Sequence, residues 1–372
     1  MAPAPPQGTR RGAPAAAQGA GGGARRRRAL PPAPGRARPG GAPALSAATP
    51  ALPLLDRAAV DAALPFPDLI EALRAGFALG CEAPVRHHHT VPRKHAPDAT
   101  LLIMPAWQQS RRLGVKVVQI SPGNDALGLP TVDGLYLLFE AHTGRPLAVM
   151  NGPAITERRT AAASALAASH LAREDARHHL VLGAGAVAAM LVPAHAAIRP
   201  IERVTLWNRT TARADKLAER LTTEGFDVAV TTDLDGALGE ADIVSAATMS
   251  AVPLVKGALV RPGTHVDLVG AYNRALRESD DALMTRASLF VDTRGGALGE
   301  AGDIVQAIAS GAIDEAAIQA DLAELCRGDH PGRRTAEEVT VFKSVGAAIE
   351  DLVAAELVYE RLERSRDPGS GR

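Results

Sequence analysis

The stretch "LVLGAGAVA" (180–188) sets Gly183, Gly185 and Ala188 in the spacing G-x-G-x-x-A. Between a strand and a helix, the first glycine makes the turn and the second lets backbone approach a pyrophosphate. The small third residue lets helix and strand pack closely. The helix N-terminus then offers free N–H groups and its positive dipole end to the phosphates. A plain tight turn is the competing reading. Further on, "VTLWNRTT" (204–211) ends in Asn208, Arg209 and Thr210. An acid at this place holds the ribose hydroxyls of NAD and repels a 2′-phosphate, whereas an Arg accommodates that phosphate. The chemistry indicated is binding of NADPH (NADP) in preference to NADH, unless Arg209 is simply solvated at a strand end. Arg213 follows one helical turn later.

A second set of residues is cationic. Lys116 sits in the otherwise apolar "GVKVVQI". A buried lysine is costly unless it is paired or functional; on an edge strand it would face solvent. Arg158 and Arg159 precede "TAAASALAA", where an Ala-rich helix is expected to begin. Cations are unfavourable at a helix N-terminus, so one of the two is expected to meet an anion. Arg86 comes just before His87–His89. Three cations beside a hydride donor fit a clamp for a substrate carboxylate, which would orient the acceptor carbon. No partner set at ligand spacing accompanies the histidines, so no metal is expected.

The elements that must position these groups follow from hydrophobic patterning. From about residue 175, short runs rich in β-branched residues alternate with helical stretches: "HLVLGAG" (179–185), "RVTLWN" (203–208), "DVAVTT" (227–232), "ADIVSAAT" (241–248), "THVDLVGA" (264–271) and "SLFVDT" (288–293). Strands buried on both faces read this way, and the alternation predicts a doubly wound parallel sheet of Rossmann type. Pro193 is expected to kink or shorten the helix after the glycine turn. Earlier, "LIEALRAGFALG" (69–80) predicts a helix, and "TLLIMPAW" (100–107), "LGVKVVQIS" (113–121) and "GLYLLFEAHTGRPLAVMNG" (134–152) predict strands, the last a hairpin about "HTG". The amphipathic "AAIEDLVAAELVYERLER" (347–364) is expected to return to this first part. The organisation expected is a tail over 1–45, a discontinuous α+β domain for substrate binding and dimerisation over 46–172 with 325–365, and a Rossmann domain over 173–324.

Composition narrows the function classes. Of 372 residues, 41 are basic and 41 acidic, so nothing in the net charge argues for nucleic acid or an anionic membrane. No apolar run reaches the roughly 18–20 residues of a membrane span. Cys81 and Cys326 are far apart and form no metal or disulfide pattern, which fits a reducing cytoplasm. Residues 1–45 are Ala, Pro, Gly and Arg with little to bury, and disorder is expected there.

With these residues in view, the sequence resembles the ornithine cyclodeaminase/mu-crystallin family from about 50 to 364. The likeness is carried by "MPAW" (104–107), "GVKVV" (114–118), "GLPTVDG" (128–134), "TGRPLAVMNG" (143–152), "ITERRTAAASALAASHLA" (155–172), "GAGAVA" (183–188), "WNRT" (207–210), "RESDDALMTRASLFVDT" (277–293) and "TVFKSVGAAIEDLVAAELVY" (340–359). The resemblance implies a homodimer, substrate-carboxylate contacts at Arg86, Lys116 and Arg159, and Thr131 near substrate and nicotinamide. It implies Ser344 and Val345 beside the nicotinamide, and Thr248 is expected among the cofactor-binding residues. True cyclodeaminases carry an aspartate where this chain has Tyr272 and a glutamate where it has Leu102. Those acids handle amino groups and water, so the chain is more similar to the imine-reductase branch. The expected reaction is NADPH-dependent reduction of a cyclic α-imino acid of the pyrroline- or piperideine-2-carboxylate type. The alternatives are a cyclodeaminase, an amino-acid dehydrogenase, or a non-catalytic protein that binds NADPH and a small ligand.

Overall fold

The computed structural model describes residues 51–366; the tail expected over 1–45 lies outside them. The first sheet has six strands: β1 (Leu54–Leu55), β2 (His87–Val91), β3 (Ala99–Trp107), β4 (Arg112–Ile120), β5 (Val132–Glu140) and β6 (Pro146–Asn151), in the order β1-β6-β5-β4-β3-β2. β2 to β6 pair antiparallel, as adjacent hairpins allow, and β1 adds parallel to β6. Alternation decides what each face does. Met104, Ala106, Lys116, Val118, Tyr136 and Leu138 point to one face and are buried. Helices α1 (Arg57–Ala63), α2 (Phe66–Leu79) and α3 (Gly152–Leu171) build the core on that side. The opposite face carries Ile103, Val117 and Leu135 in one row and Pro105, Val115, Leu137 and Val149 in the next. No element among the described residues buries it fully, and Leu135 is 46% exposed.

The second sheet holds β7 (His178–Leu182), β8 (Arg203–Trp207), β9 (Val228–Val230), β10 (Ile243–Ala246), β11 (His265–Leu268), β12 (Ser288–Val291), β13 (Ile318–Asp321) and β14 (Thr340–Lys343). All are parallel, in the order β13-β12-β14-β11-β10-β7-β8-β9. Helices α4 (Ala186–Ala196), α5 (Thr211–Thr223), α6 (Leu234–Glu240), α7 (Asp281–Arg286), α8 (Arg294–Glu300), α9 (Gly302–Ala309) and α10 (Leu322–Arg327) join them. This is the doubly wound α/β architecture that the alternation predicts. The chain runs one way through β7, β8 and β9 and then returns to β10 on the other side of β7. That reversal creates the crevice at which such sheets bind ligands. Helix α4 ends one turn past Pro193, whose ring removes an amide donor from the ladder.

Two expectations are corrected. Residues 325–365 do not return as a block: β14 pairs with β11 and β12 near the middle of the parallel sheet, and only α11 (Ala348–Arg366) packs on the six-stranded sheet. "TVF" is a short apolar run buried on both faces, which suits a central parallel strand. Arg158 and Arg159 are not at a helix start. Asn151 caps α3 by accepting the Ala154 N–H (2.9 Å) and Pro153 occupies the first turn, so Arg159 lies two turns inside.

Candidate active site

The expected dinucleotide residues gather at the C-terminal edge of the parallel strands, around the β7/β10 reversal. Gly183 follows β7 directly, with φ at +113°, and a Cβ there would sit 2.6 Å from the Ala247 carbonyl oxygen after β10. Both facts require glycine. A Cβ at Gly185, by contrast, would meet no atom within 4 Å. Gly185 is exposed at the N-cap of α4, where the first amides of an 11-residue helix have no side-chain cap. Ala188 is fully buried against β7 and β8 residues. An open backbone cradle with uncapped amides fits a pyrophosphate.

At the end of β8, Asn208 is half-buried and turns its amide to donate to the Thr210 carbonyl (2.8 Å); Arg209 and Thr210 are exposed. Arg213, Lys216 and Arg220 of α5 line one groove with Ala184, Gly185 and Ala186. Three cations thus line the groove beside the glycine turn, and the expected Arg209 stands exposed at the strand end.

Thr248, after β10, donates its hydroxyl and its backbone N–H to Glu278 Oε1, both at 2.7 Å. Glu278 Oε2 accepts from the N–H groups of Gly270 (2.7 Å) and Ala271 (3.2 Å) after β11. One buried carboxylate therefore fastens two loops of the crevice together. Burial pushes its pKa up to about 7, opposed by Lys343 and by the bonds from Thr248. Lys343 is itself buried and pairs with Asp303 at 3.1 Å. Ser344 and Val345 continue β14 and are buried. Asp292, after β12, holds this loop: its Oδ2 accepts from the N–H groups of Val345 and Gly346, both at 2.7 Å, and from the Ser344 hydroxyl at 3.2 Å.

Two of the three expected cations meet the same loop. Arg86 donates to the carbonyls of Gly346 (2.6 Å) and Val345 (3.3 Å) and lies 3.4 Å from Glu300 of α8. Lys116 and Arg159 are both buried. Lys116 Nζ is 2.6 Å from Asp351 Oδ2 and 3.4 Å from the Thr156 hydroxyl. Arg159 donates from Nε to Asp351 Oδ1 (2.9 Å) and from Nη1 to Glu350 Oε2 (2.7 Å). Its guanidinium crowds Gly346, where φ is +82° and a Cβ would come within 2.5 Å of Nη1. Burial, and then the neighbouring Arg159 charge, lower the Lys116 ammonium to about 8 although Asp351 opposes. Glu350 is pushed up to about 7 by burial, opposed by Arg159. The Asp351 carboxyl is held below its ordinary range by Arg159 and Lys116, against the effect of burial.

Arg86, Lys116, Arg159 and Val345 are thus brought together, and Ser344 adjoins them along the chain. Thr131 stands apart: it is half-buried just before β5, its carbonyl accepting the Ser121 N–H, with no side-chain hydrogen bond to Lys116 or Arg159. Arg158 points elsewhere, onto Asp61 at 2.7 Å and the Leu64 carbonyl. His87, His88 and His89 are exposed on edge strand β2, and no group of three metal-binding side chains occurs among the described residues. Sequence reasoning missed Glu278, Asp292, Glu350 and Asp351. The one signal for the last two was a pair of acids inside the apolar "VGAAIEDLVAA".

A doubly wound parallel sheet with an open glycine cradle, close to three cations carried by β4 (Lys116), α3 (Arg159) and the segment before β2 (Arg86), has the build of a dinucleotide-dependent enzyme. Residues 54–366 match the ornithine cyclodeaminase/mu-crystallin family, and the chain belongs to it. A Delta(1)-pyrroline-2-carboxylate reductase of Paracoccus denitrificans is 46% identical over 292 residues, which cover 78% of this chain and 91% of that protein. The solved structure of the Thermococcus litoralis Delta(1)-pyrroline-2-carboxylate reductase, in complex with NADH and L-proline, superposes with a TM-score of 0.80 at 36% identity, over 84% of this chain and 98% of that one. An archaeal alanine dehydrogenase dimer with bound NAD gives 0.78 at 29%, over 85% and 97%. The chain is a nicotinamide-dependent oxidoreductase working at carbon–nitrogen bonds. No helix among the described residues is long and apolar enough to cross a membrane.

Proposed function

We propose that this protein reduces a cyclic α-imino acid, of the pyrroline-2-carboxylate or piperideine-2-carboxylate type, to the cyclic amino acid with NADPH. The observation that carries this reading is that Arg86 and Arg159 meet at the Ser344–Gly346 loop, beyond the C-terminal end of β14, with Lys116 joined to Arg159 through Asp351. A bound nicotinamide dinucleotide supplies the hydride. Gly183, Gly185 and Ala188 with the start of α4 hold the pyrophosphate. Asn208, Arg209 and Thr210 take the ribose end, where Arg209 favours a 2′-phosphate. Thr248, Ser344 and Val345 border the nicotinamide. Arg86, Lys116 and Arg159 grip the substrate carboxylate and so fix the imine carbon in place, while Thr131 lies at the margin of the site. Orientation of this kind is worth several kcal/mol of barrier. Lys116, with its pKa near 8, is matched to supplying the proton that the imine nitrogen gains.

The uncovered apolar face of the six-stranded sheet supports a homodimer, since an apolar face this continuous on a soluble chain marks an association surface. The test of the reaction is NADPH oxidation across cyclic imino acids, 2-oxo acids with ammonia, and ornithine. One-to-one consumption with a cyclic imino acid is expected. Ammonia release from ornithine without net NADPH consumption would replace the reading with a cyclodeaminase. Ammonia-dependent reduction of a 2-oxo acid would replace it with a dehydrogenase, and cofactor binding with no turnover would replace it with a binding protein. Light scattering after gel filtration tests the dimer.

A further inference from the structure

Lys116 and Arg159 are not free cations awaiting a substrate. Asp351 lies between them, fully buried in the first turn of α11, with one carboxylate oxygen on each. Glu350 takes a further Arg159 hydrogen, and its other oxygen accepts the Ala347 N–H, which ties it to the start of the same helix. Carboxylates at a helix N-terminus are favoured by the dipole, which supports Asp351 as the ionised member in a dry place while burial raises Glu350 to about 7. The ammonium has three hydrogens. One is given to Thr156, and the charge is paired with Asp351 Oδ2 at 2.6 Å. The guanidinium keeps its Nη2 edge, which lies against Gly346.

We infer that Asp351 is a positioning residue: it couples Lys116 to Arg159 through its two oxygens and keeps the lysine charged in its buried site. For the effect on turnover, the inference rests on the reading of this site as a carboxylate clamp; for the lysine's charge it does not. The groups facing Lys116 are few. α3 supplies Arg159 and Thr156, α11 supplies Asp351 with Glu350 beyond Arg159, β5 supplies Tyr136 directly opposite, and Arg86 acts from before β2. Tyr136 has its phenol raised well above its ordinary range by burial and stays neutral through the working pH. Met104, opposite on β3, is apolar. Asp351 is therefore the direct anionic partner of the ammonium, and removing its charge leaves burial, Arg159 and Arg86, which all disfavour the charged lysine.

The chain has five lysines, so their side chains can be followed individually by NMR after selective ¹³C labelling, with Lys116 assigned by its absence in Lys116→Met. The full chain is titrated as wild type, Asp351→Asn and Asp351→Glu. Lys116 is expected to titrate near pH 8 in the wild type and at least about one pH unit lower in Asp351→Asn, the size of effect an opposite charge at contact has. Asp351→Glu keeps the charge and is expected to stay within about 0.3 unit. If Asp351→Asn does not fold, Asp351→Glu still decides: a downward shift as large as that expected for charge removal would overturn the inference. A folded Asp351→Asn whose Lys116 titrates as in the wild type would overturn it as well. In kinetics, the alkaline limb of kcat/KM should move with the lysine. Failure of the wild type to turn over any cyclic imino acid would instead overturn the functional reading and leave the titration to judge Asp351.

Discussion

Replacing Arg159 by Met should destabilise the protein as well as inactivate it, and by more than Lys116→Met does. Arg159 makes two of the three ion-pair contacts in the buried cluster, at 2.7 and 2.9 Å, and Lys116 makes the third. Without the guanidinium, Glu350 keeps only the Ala347 N–H and Asp351 keeps only Lys116. Breaking a buried pair by removing one partner costs about 3–5 kcal/mol. At roughly 2.1 cal/mol/K of unfolding entropy per residue, a folded part spanning 51–366 moves its Tm by about 1.5 °C per 1 kcal/mol, so a fall of roughly 4–8 °C is expected. Lys116→Met leaves Asp351 on Arg159, and the drop should be about half as large or less. A further change, Glu350→Gln in the Arg159→Met background, removes a buried charge and should recover part of the stability with none of the activity. The assay is thermal melting of the four proteins, with kcat/KM beside it. An Arg159→Met protein melting within about 2 °C of wild type would refute the account of the cluster as a buried, mutually dependent set.

Arg209→Ala removes a charge-assisted contact worth roughly 1.5–3 kcal/mol and should erode the ratio of kcat/KM for NADPH over NADH ten-fold or more; an unchanged ratio would move the 2′-phosphate elsewhere. Glu278→Gln turns an amide group toward donors on one of its two loops, and dinucleotide Kd by fluorescence titration should rise about ten-fold from a loss of roughly 1.5 kcal/mol. His179 is buried, and its ring is held well below the ordinary imidazole range by burial and then by His195. The unfolded ring takes up a proton below about pH 6.5 and the native ring does not, so this stability is whole above that pH and falls by about 1.4 kcal/mol per unit below it. Urea melts at pH 7.5 and 5.5 should show the fall in wild type and a shallower one in His179→Gln.

The six runs named in the second domain each hold a strand because a strand buried on both faces leaves a local trace: a short, β-branched, uninterrupted run. β14 leaves the same trace in "TVFK", but its segment lies within 325–365, the part expected to return to the first domain. Nothing local distinguishes a strand that enters between β11 and β12 from one that precedes a returning helix. β13 was not foreseen, because "IQAD" alternates at the sheet margin and reads as loop. The apolar neighbours of Lys116 point to burial but leave an edge strand open; only the place of β4 between β3 and β5 decides it. Arg159 is expected to meet an anion because of a helix start that is in fact two turns away, so its anionic partners are foreseen for a reason that does not hold. Glu350 and Asp351 lie some 190 positions from Arg159. Only the return of α11 across the six-stranded sheet makes them neighbours, and periodicity within a single segment carries no such information.

On the proposed reading of the site as a carboxylate clamp, its charges account for three cations where two would grip a carboxylate. Lys116 and Arg159 are already matched by Glu350 and Asp351, so as a unit they offer direction more than attraction. Such matching is what allows two cations to be buried before any substrate arrives. The unmatched attraction has to come from a group that is less deeply held. Arg86 fits this description: it is partly exposed, anchored mainly on two backbone carbonyls, with its one acidic neighbour at 3.4 Å on α8 of the other domain. Two tasks that conflict in one residue are thereby divided. On that reading, geometry would fall to a buried pair whose donors cannot wander, and the draw on an acidic substrate to Arg86, which holds the Val345 and Gly346 carbonyls.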